Sequence, residues 1–152
     1  MALSRRDVLK MMLSTGLTVA AARAAEAEGR PMLRRAIPRS GEMVPAVGLG
    51  TWQTFDVGAA EGQRAPLREV LKQFVALGGA VVDSSPMYGE AERVVGDLAA
   101  ELGVHERLFL ATNVWTSGRA AGIEQMEESM RLLRAGRIDL MQVHNLLDWR
   151  TH

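Results

Sequence analysis

The chain contains a single tyrosine, Tyr88, five residues after Asp83 in the stretch Asp83-Ser84-Ser85-Pro86-Met87-Tyr88-Gly89-Glu90. Asp83 closes the apolar run Ala80-Val81-Val82, which reads as a buried strand opening into a loop. A phenol in such a loop can donate a proton to a reacting group when its neighbours assist ionisation. His144 closes another apolar run, Ile138 to Val143, in the same register, and Asn145 follows it. Two further runs lead into polar or aromatic residues: Val47-Gly48-Leu49 into Gly50-Thr51-Trp52, and Leu108 to Ala111 into Thr112-Asn113-Val114-Trp115. Taken singly, these residues have structural explanations. Asp83 could cap a helix, Tyr88 could pack its ring against a loop, and His144 could be a neutral histidine bonded to backbone. Their convergence at equivalent strand ends argues for a site, because parallel α/β folds gather functional groups where strands end.

The elements that must position these residues follow a repeating pattern. Short apolar strands are expected at 47–50, 80–83, 108–112 and 138–144. Between them lie stripes at helical spacing. The first is Leu67, Val70, Leu71, Phe74 and Val75, with Pro66 at its first turn and Gly78-Gly79 as its stop. The second is Ala91, Val94, Val95, Leu98, Ala99 and Leu102, ended by Gly103; the third is Ile123, Met126, Met130 and Leu133, ended by Gly136. Strands alternating with helices in units of about 30 residues indicate βαβ crossovers and a parallel sheet. Upstream, Arg35 to Pro45 reads as a short β-hairpin with Ser40-Gly41 at the turn. A barrel of eight such units takes about 250 residues. A parallel sheet needs helices on both faces or closure into a barrel, so the 152-residue chain, with four strands and three helices after the hairpin, reads as an interrupted α/β fold.

Composition narrows the function classes. With 47% hydrophobic and 24% charged residues, the chain is globular in character. It has no cysteine, so disulfides and thiolate chemistry are excluded, and His105, His144 and His152 are too dispersed for a metal cluster. The formal net charge is zero, yet residues 1–24 hold Arg5, Arg6, Lys10 and Arg23 against Asp7. Without them 14 basic and 17 acidic residues remain, and no basic stripe supports nucleic-acid binding.

Residues 1–24 have the organisation of a signal peptide. Ser4-Arg5-Arg6-Asp7-Val8-Leu9-Lys10 resembles the twin-arginine export pattern, with Val8 where phenylalanine is usual. A mildly apolar run, Met11 to Ala22, follows, and Ala22-Arg23-Ala24 offers a cleavage site. The run is too short for a membrane span. The expectations are recognition by the twin-arginine machinery, a periplasmic or otherwise exported product without a stable membrane anchor, and a remaining domain at 25–152.

Four segments together resemble the aldo/keto reductase family. Val44-Pro45-Ala46-Val47-Gly48-Leu49-Gly50-Thr51-Trp52 is similar to the opening of these enzymes. Asp83 to Gly89 resembles their D-[ST]-[AS]-x-x-Y-G motif, Leu110 to Trp115 the segment around their lysine, and Met141 to Asn145 the segment around their histidine. The likeness runs from about residue 33 onward. It implies a TIM-type (β/α)8 barrel, of which this chain would hold the first four strands and three helices after the hairpin, that uses NADPH, without metal, to reduce a small aldehyde or ketone by hydride transfer. Tyr88 would be the proton donor, His144 would orient the carbonyl, and Asp83 would hold the lysine. Gly50, Thr51, Trp52, Asp83 and Asn145 would lie at the cofactor.

One position departs from the family. The lysine is replaced by Asn113, and the only lysines in the chain are Lys10 and Lys72. Lys72 falls off the apolar stripe of the first helix, facing solvent. An ammonium beside a phenol favours the phenolate, whereas an amide supplies a hydrogen bond and no charge. Three readings follow: a carbonyl reductase represented by a weakly active or inactive fragment, a non-catalytic reductase scaffold that binds a nucleotide or protein partner, and a half-barrel that dimerises.

Overall fold

The computed structural model describes residues 31–145. The expected signal segment at 1–24 and residues 146–152 lie outside them. The chain first forms the expected hairpin. Strand β1 (Arg34–Ala36) pairs antiparallel with β2 (Met43–Pro45), Arg35 opposite Val44. Gly41 takes φ +73° in the turn and donates its N–H to the Ile37 carbonyl at 2.8 Å, a left-handed conformation that glycine adopts without strain.

Four parallel strands follow in chain order: β3 (Leu49–Gly50), β4 (Val81–Asp83), β5 (Phe109–Val114) and β6 (Leu140–Val143). Three helices connect them: α1 (Glu61–Ala76), α2 (Ala91–Leu102) and α3 (Arg119–Leu132). Parallel neighbours cannot be joined by a hairpin, so each pair is linked through a crossover helix. The result is an α/β fold with sheet order β3-β4-β5-β6. Among the described residues the sheet does not close, and no helix is long and apolar enough to cross a membrane.

Side chains alternate across the strands and sort the chemistry. Val82 and Leu110 point into the helix layer, where they join Leu67, Leu71, Val94 and Leu98 in one core. Thr112 faces the same way, bonded to Glu92 of α2. The opposite face carries Asp83, Asn113 and Gln142. Gly50 stands beside Asp83, which pairs with Ala111, and Asn113 pairs with Gln142.

Several expected boundaries shift. Residues 47 and 48 precede β3 and are exposed. Strand β5 begins at Phe109 and extends through Val114, so Asn113 and Val114 are strand residues and not loop residues. Helix α1 begins at Glu61, placing Pro66 inside the helix instead of at its first turn. The early turn is held by polar tertiary contacts that an apolar stripe cannot reveal: Arg64 donates to the Gly58 carbonyl at 3.0 Å and pairs with Asp97 at 2.8 Å. Within that stripe Leu67, Leu71 and Val75 are buried, but Val70 is exposed. Lys72 is exposed as expected, paired with Glu69 at 3.2 Å.

Helix α2 ends where expected, with Gly103 left-handed at φ +64°. Helix α3 stops earlier than Gly136. Arg134 takes φ +51°, and the Ala135 N–H returns to the Met130 carbonyl at 2.9 Å, closing the helix in the manner of a Schellman turn. Arg134 also pairs with Asp97 at 2.6 Å. A short 3-10 turn, His105–Arg107, leads into β5, and His105 Nε2 lies 2.8 Å from the Leu133 carbonyl at the end of α3.

Candidate active site

The site is assembled at the carboxyl ends of the four parallel strands, each supplying one part. At β3, Gly50 stands opposite Asp83, and a Cβ built on it would meet nothing within 4 Å. The space above the sheet is open there. Thr51 is fully buried; its Oγ1 lies 3.0 Å from the Asp83 carbonyl and 2.9 Å from Ser84 Oγ. Trp52 is 63% exposed. The backbone reverses immediately after it, with Gln53 at φ +59° and the Thr54 N–H donating to the Trp52 carbonyl at 2.7 Å.

At β4, the Asp83 side chain is half-buried, with Gln142 Nε2 donating to its Oδ1 at 3.4 Å. Burial raises its carboxyl above the ordinary carboxylate value, opposed by the Gln142 bond and by the nearby His144. Among the described residues no lysine or arginine forms an ion pair with it. The loop beyond β4 is wound tightly. The Tyr88 N–H donates to the Ser85 carbonyl at 3.0 Å, and the Ala91 N–H to the Tyr88 carbonyl at 3.0 Å, joining the loop to α2. The Tyr88 and His144 rings meet edge to face, centroids 6.4 Å apart and planes at 82°.

At β5, Asn113 is 8% exposed and donates through Nδ2 to the Ser84 carbonyl at 2.9 Å. The amide therefore binds the backbone beside Asp83 and brings no charge. At β6, the strand ends at Val143, and His144 continues the ladder by donating its N–H to the Val114 carbonyl at 2.9 Å. Asn145 is exposed at φ +50°, a left-handed conformation that asparagine tolerates better than most residues.

The structure thus brings Tyr88, His144, Asp83, Asn113, Gly50 and Thr51 to one end of the sheet, while Trp52 and Asn145 lie exposed at its rim. Two residues escaped the sequence reading. Gln142 was visible only as an ordinary strand residue; its register opposite Asn113 carries it to Asp83. Glu92 is 1% exposed and accepts from Thr112 Oγ1 at 2.6 Å and from Ser129 Oγ at 3.2 Å. Burial raises its carboxyl above the ordinary value, and the two hydroxyls oppose that shift. The available signal was its position three residues before Val95 and seven before Ala99, on the apolar face of α2.

Comparisons with known proteins agree with this architecture. The model of the aldo/keto reductase family matches residues 46–149. Methylglyoxal reductase YeaE of Escherichia coli (strain K12) is 36% identical over 118 residues, covering 74% of this chain and 40% of the relative. Aldo-keto reductase YhdN of Bacillus subtilis (strain 168) is 29% identical over 110 residues, covering 64% of the chain and 33% of that protein. The chain thus spans well under half the length of these relatives. Among solved structures, an aldo/keto reductase from Klebsiella pneumoniae in complex with NADP and acetate superposes with a TM-score of 0.60 at 32% identity. That match covers 68% of this chain and 36% of the other. An aldo-keto reductase from the same organism in complex with NADPH gives 0.63 at 30% identity, covering 74% and 40%.

Proposed function

Because the chain belongs to the aldo/keto reductase family, we propose that it carries the proton-donor half of an NADPH-dependent carbonyl reductase site. Its substrate is a small aldehyde or ketone, and Tyr88 is the acid. The observation that carries this reading is the edge-to-face pairing of Tyr88 with His144 at 6.4 Å, at the carboxyl end of the sheet beside Asp83.

The residues present fit the nicotinamide end of the cofactor. Open space above Gly50 leaves room for a flat ring. Asp83 stands in register beside that space and Trp52 is exposed two residues beyond it, and neither carries the positive charge that phosphates would require. When bound, NADPH supplies hydride to the carbonyl carbon. Tyr88 releases the hydroxyl proton to the carbonyl oxygen as the C=O π bond opens, giving an alcohol. His144 orients the carbonyl and supports negative charge developing on its oxygen. Asn113 anchors the backbone after Asp83 but provides no ammonium, so Tyr88 works without the charge that would favour its ionised form.

The test is NADPH oxidation followed by its absorbance, with small aldehydes as substrates, methylglyoxal among them. Tyr88→Phe is expected to abolish turnover. Asn113→Lys within a full-length barrel is expected to raise it by about tenfold or more, within the range that general acid catalysis supplies. Equal rates with and without this substitution would sink the charge argument. Asn113 also favours a second reading, a scaffold that binds nucleotide without turnover. For it, NADPH fluorescence should report binding while no aldehyde accelerates oxidation, and measurable turnover rejects it.

A further inference from the structure

The loop after β3 makes a second attachment to the Tyr88 loop that the reaction chemistry does not use. Helix α2 has Glu90 as its N-cap residue, whose own side chain makes no capping hydrogen bond. The cap comes from elsewhere in the chain: Asp56 Oδ1 accepts the Glu90 N–H at 3.0 Å. The same carboxylate lies directly against Gly89, at φ +57°. A Cβ built there would fall 2.5 Å from Cγ and 2.6 Å from Oδ2, and closer still to Oδ1. Only glycine both adopts this conformation freely and lets the carboxylate approach.

Asp56 is itself held firmly. Phe55, immediately before it, is 1% exposed within the core, and its N–H donates to the Thr51 carbonyl at 3.0 Å. Thr51 in turn is tied to Asp83 and Ser84. The segment from Thr51 to Asp56 therefore clamps the Tyr88 loop at both ends, Thr51 at its root and Asp56 at its exit. Tyr88 sits one residue before the exit contact.

We propose that Asp56 is a positioning residue that sets where the Tyr88 ring stands relative to His144, by capping Glu90 and packing on Gly89. It acts through the loop and touches no reacting group. The proposal takes its functional meaning from the reading of Tyr88 as the acid, but its test needs no turnover, so the two can fail separately.

Because Tyr88 is the only tyrosine, ring-labelled tyrosine gives a single set of resonances in the full chain. The readout is the proton cross-relaxation peak between the Tyr88 and His144 rings, with Val94 and Leu98 methyl resonances reporting the core. Asp56→Asn keeps an oxygen acceptor and should retain the peak. Asp56→Ala should lower the equilibrium constant for the docked loop about fivefold, the effect that loss of a helix cap brings, and so weaken the peak, with the core methyls unmoved. Should Asp56→Ala fail to fold, Asp56→Glu displaces the carboxylate by one methylene and is expected to weaken the peak in the same way. An undiminished peak in Asp56→Ala or in Asp56→Glu, a peak absent from the unaltered chain, or collapse of the core in all the variants would overturn the assignment.

Discussion

Among the described residues, a buried carboxylate with no ion-pair partner is the sharpest residue-level feature outside the site. Glu92 joins three elements: its own helix, β5 through Thr112 and α3 through Ser129. Thr112 is the neighbour of Asn113 on the opposite face of β5, so this network also holds the strand that carries Asn113. Burial raises the Glu92 carboxyl above its ordinary 4.5, so the native chain binds that proton more tightly than the unfolded one. The resulting stability is fully present below the unfolded value and is lost as pH rises through the folded value. Glu92→Gln keeps the shape and the acceptor from Thr112 but does not titrate. Relative to it, the native chain should lose stability as pH rises above 4.5, measured as urea midpoints across a pH series. Parallel curves would refute this. Glu92→Ala leaves two buried hydroxyls unpaired and a void, and should cost about 2–4 kcal/mol at low pH and less as pH rises.

At the scale of elements, the α2–α3 contact is set by one small residue. A Cβ on Gly96 would fall 2.7 Å from the Leu133 carbonyl carbon and closer still to the Leu132 carbonyl oxygen. Both obstacles are backbone, so the helices themselves would have to separate. Alanine gains about 1 kcal/mol of helix propensity over glycine, but overpacking at this contact opposes it. We expect Gly96→Ala to destabilise the chain by about 1–3 kcal/mol in urea unfolding; a neutral or stabilising result would show that the contact can relax. Stripe periodicity identified all three helices because their cores are apolar. It misplaced the start of α1 and the end of α3 because arginines set both. Arg64 and Arg134 converge on Asp97 from different elements, and such a meeting has no signature in local spacing.

At the scale of the molecule, the outer edge of β6 bears on association. Strand β6 pairs only with β5 among the described residues, and it presents Leu140 at 45% and Val143 at 38% exposure. Unpaired backbone beside exposed apolar side chains is a template for another strand. The chain should therefore self-associate with rising concentration, and Val143→Lys should reduce that association by placing charge on the edge. Sedimentation velocity over a concentration series distinguishes these outcomes; a monomer throughout would reject the expectation and, with it, the half-barrel that dimerises.

What the sequence by itself determined was the class of fold, the order of strands and helices, and the residues at the strand ends. These follow from local periodicity and from short motifs, where each residue reports on its own neighbours. It also carries the expectation that Asn113 stands where the family has lysine, and it placed Lys72 on a solvent face, where the structure has it. Tertiary structure alone decided which side chains meet. Strand register took Gln142 to Asp83, whose carboxylate has no ion-pair partner among the described residues, and a loop 34 residues upstream in sequence supplied Asp56 to the Glu90 N–H. The physical reason is that hydrogen bonds and close contacts depend on distances between distant segments. Those distances are fixed only when the sheet twists and the helices pack.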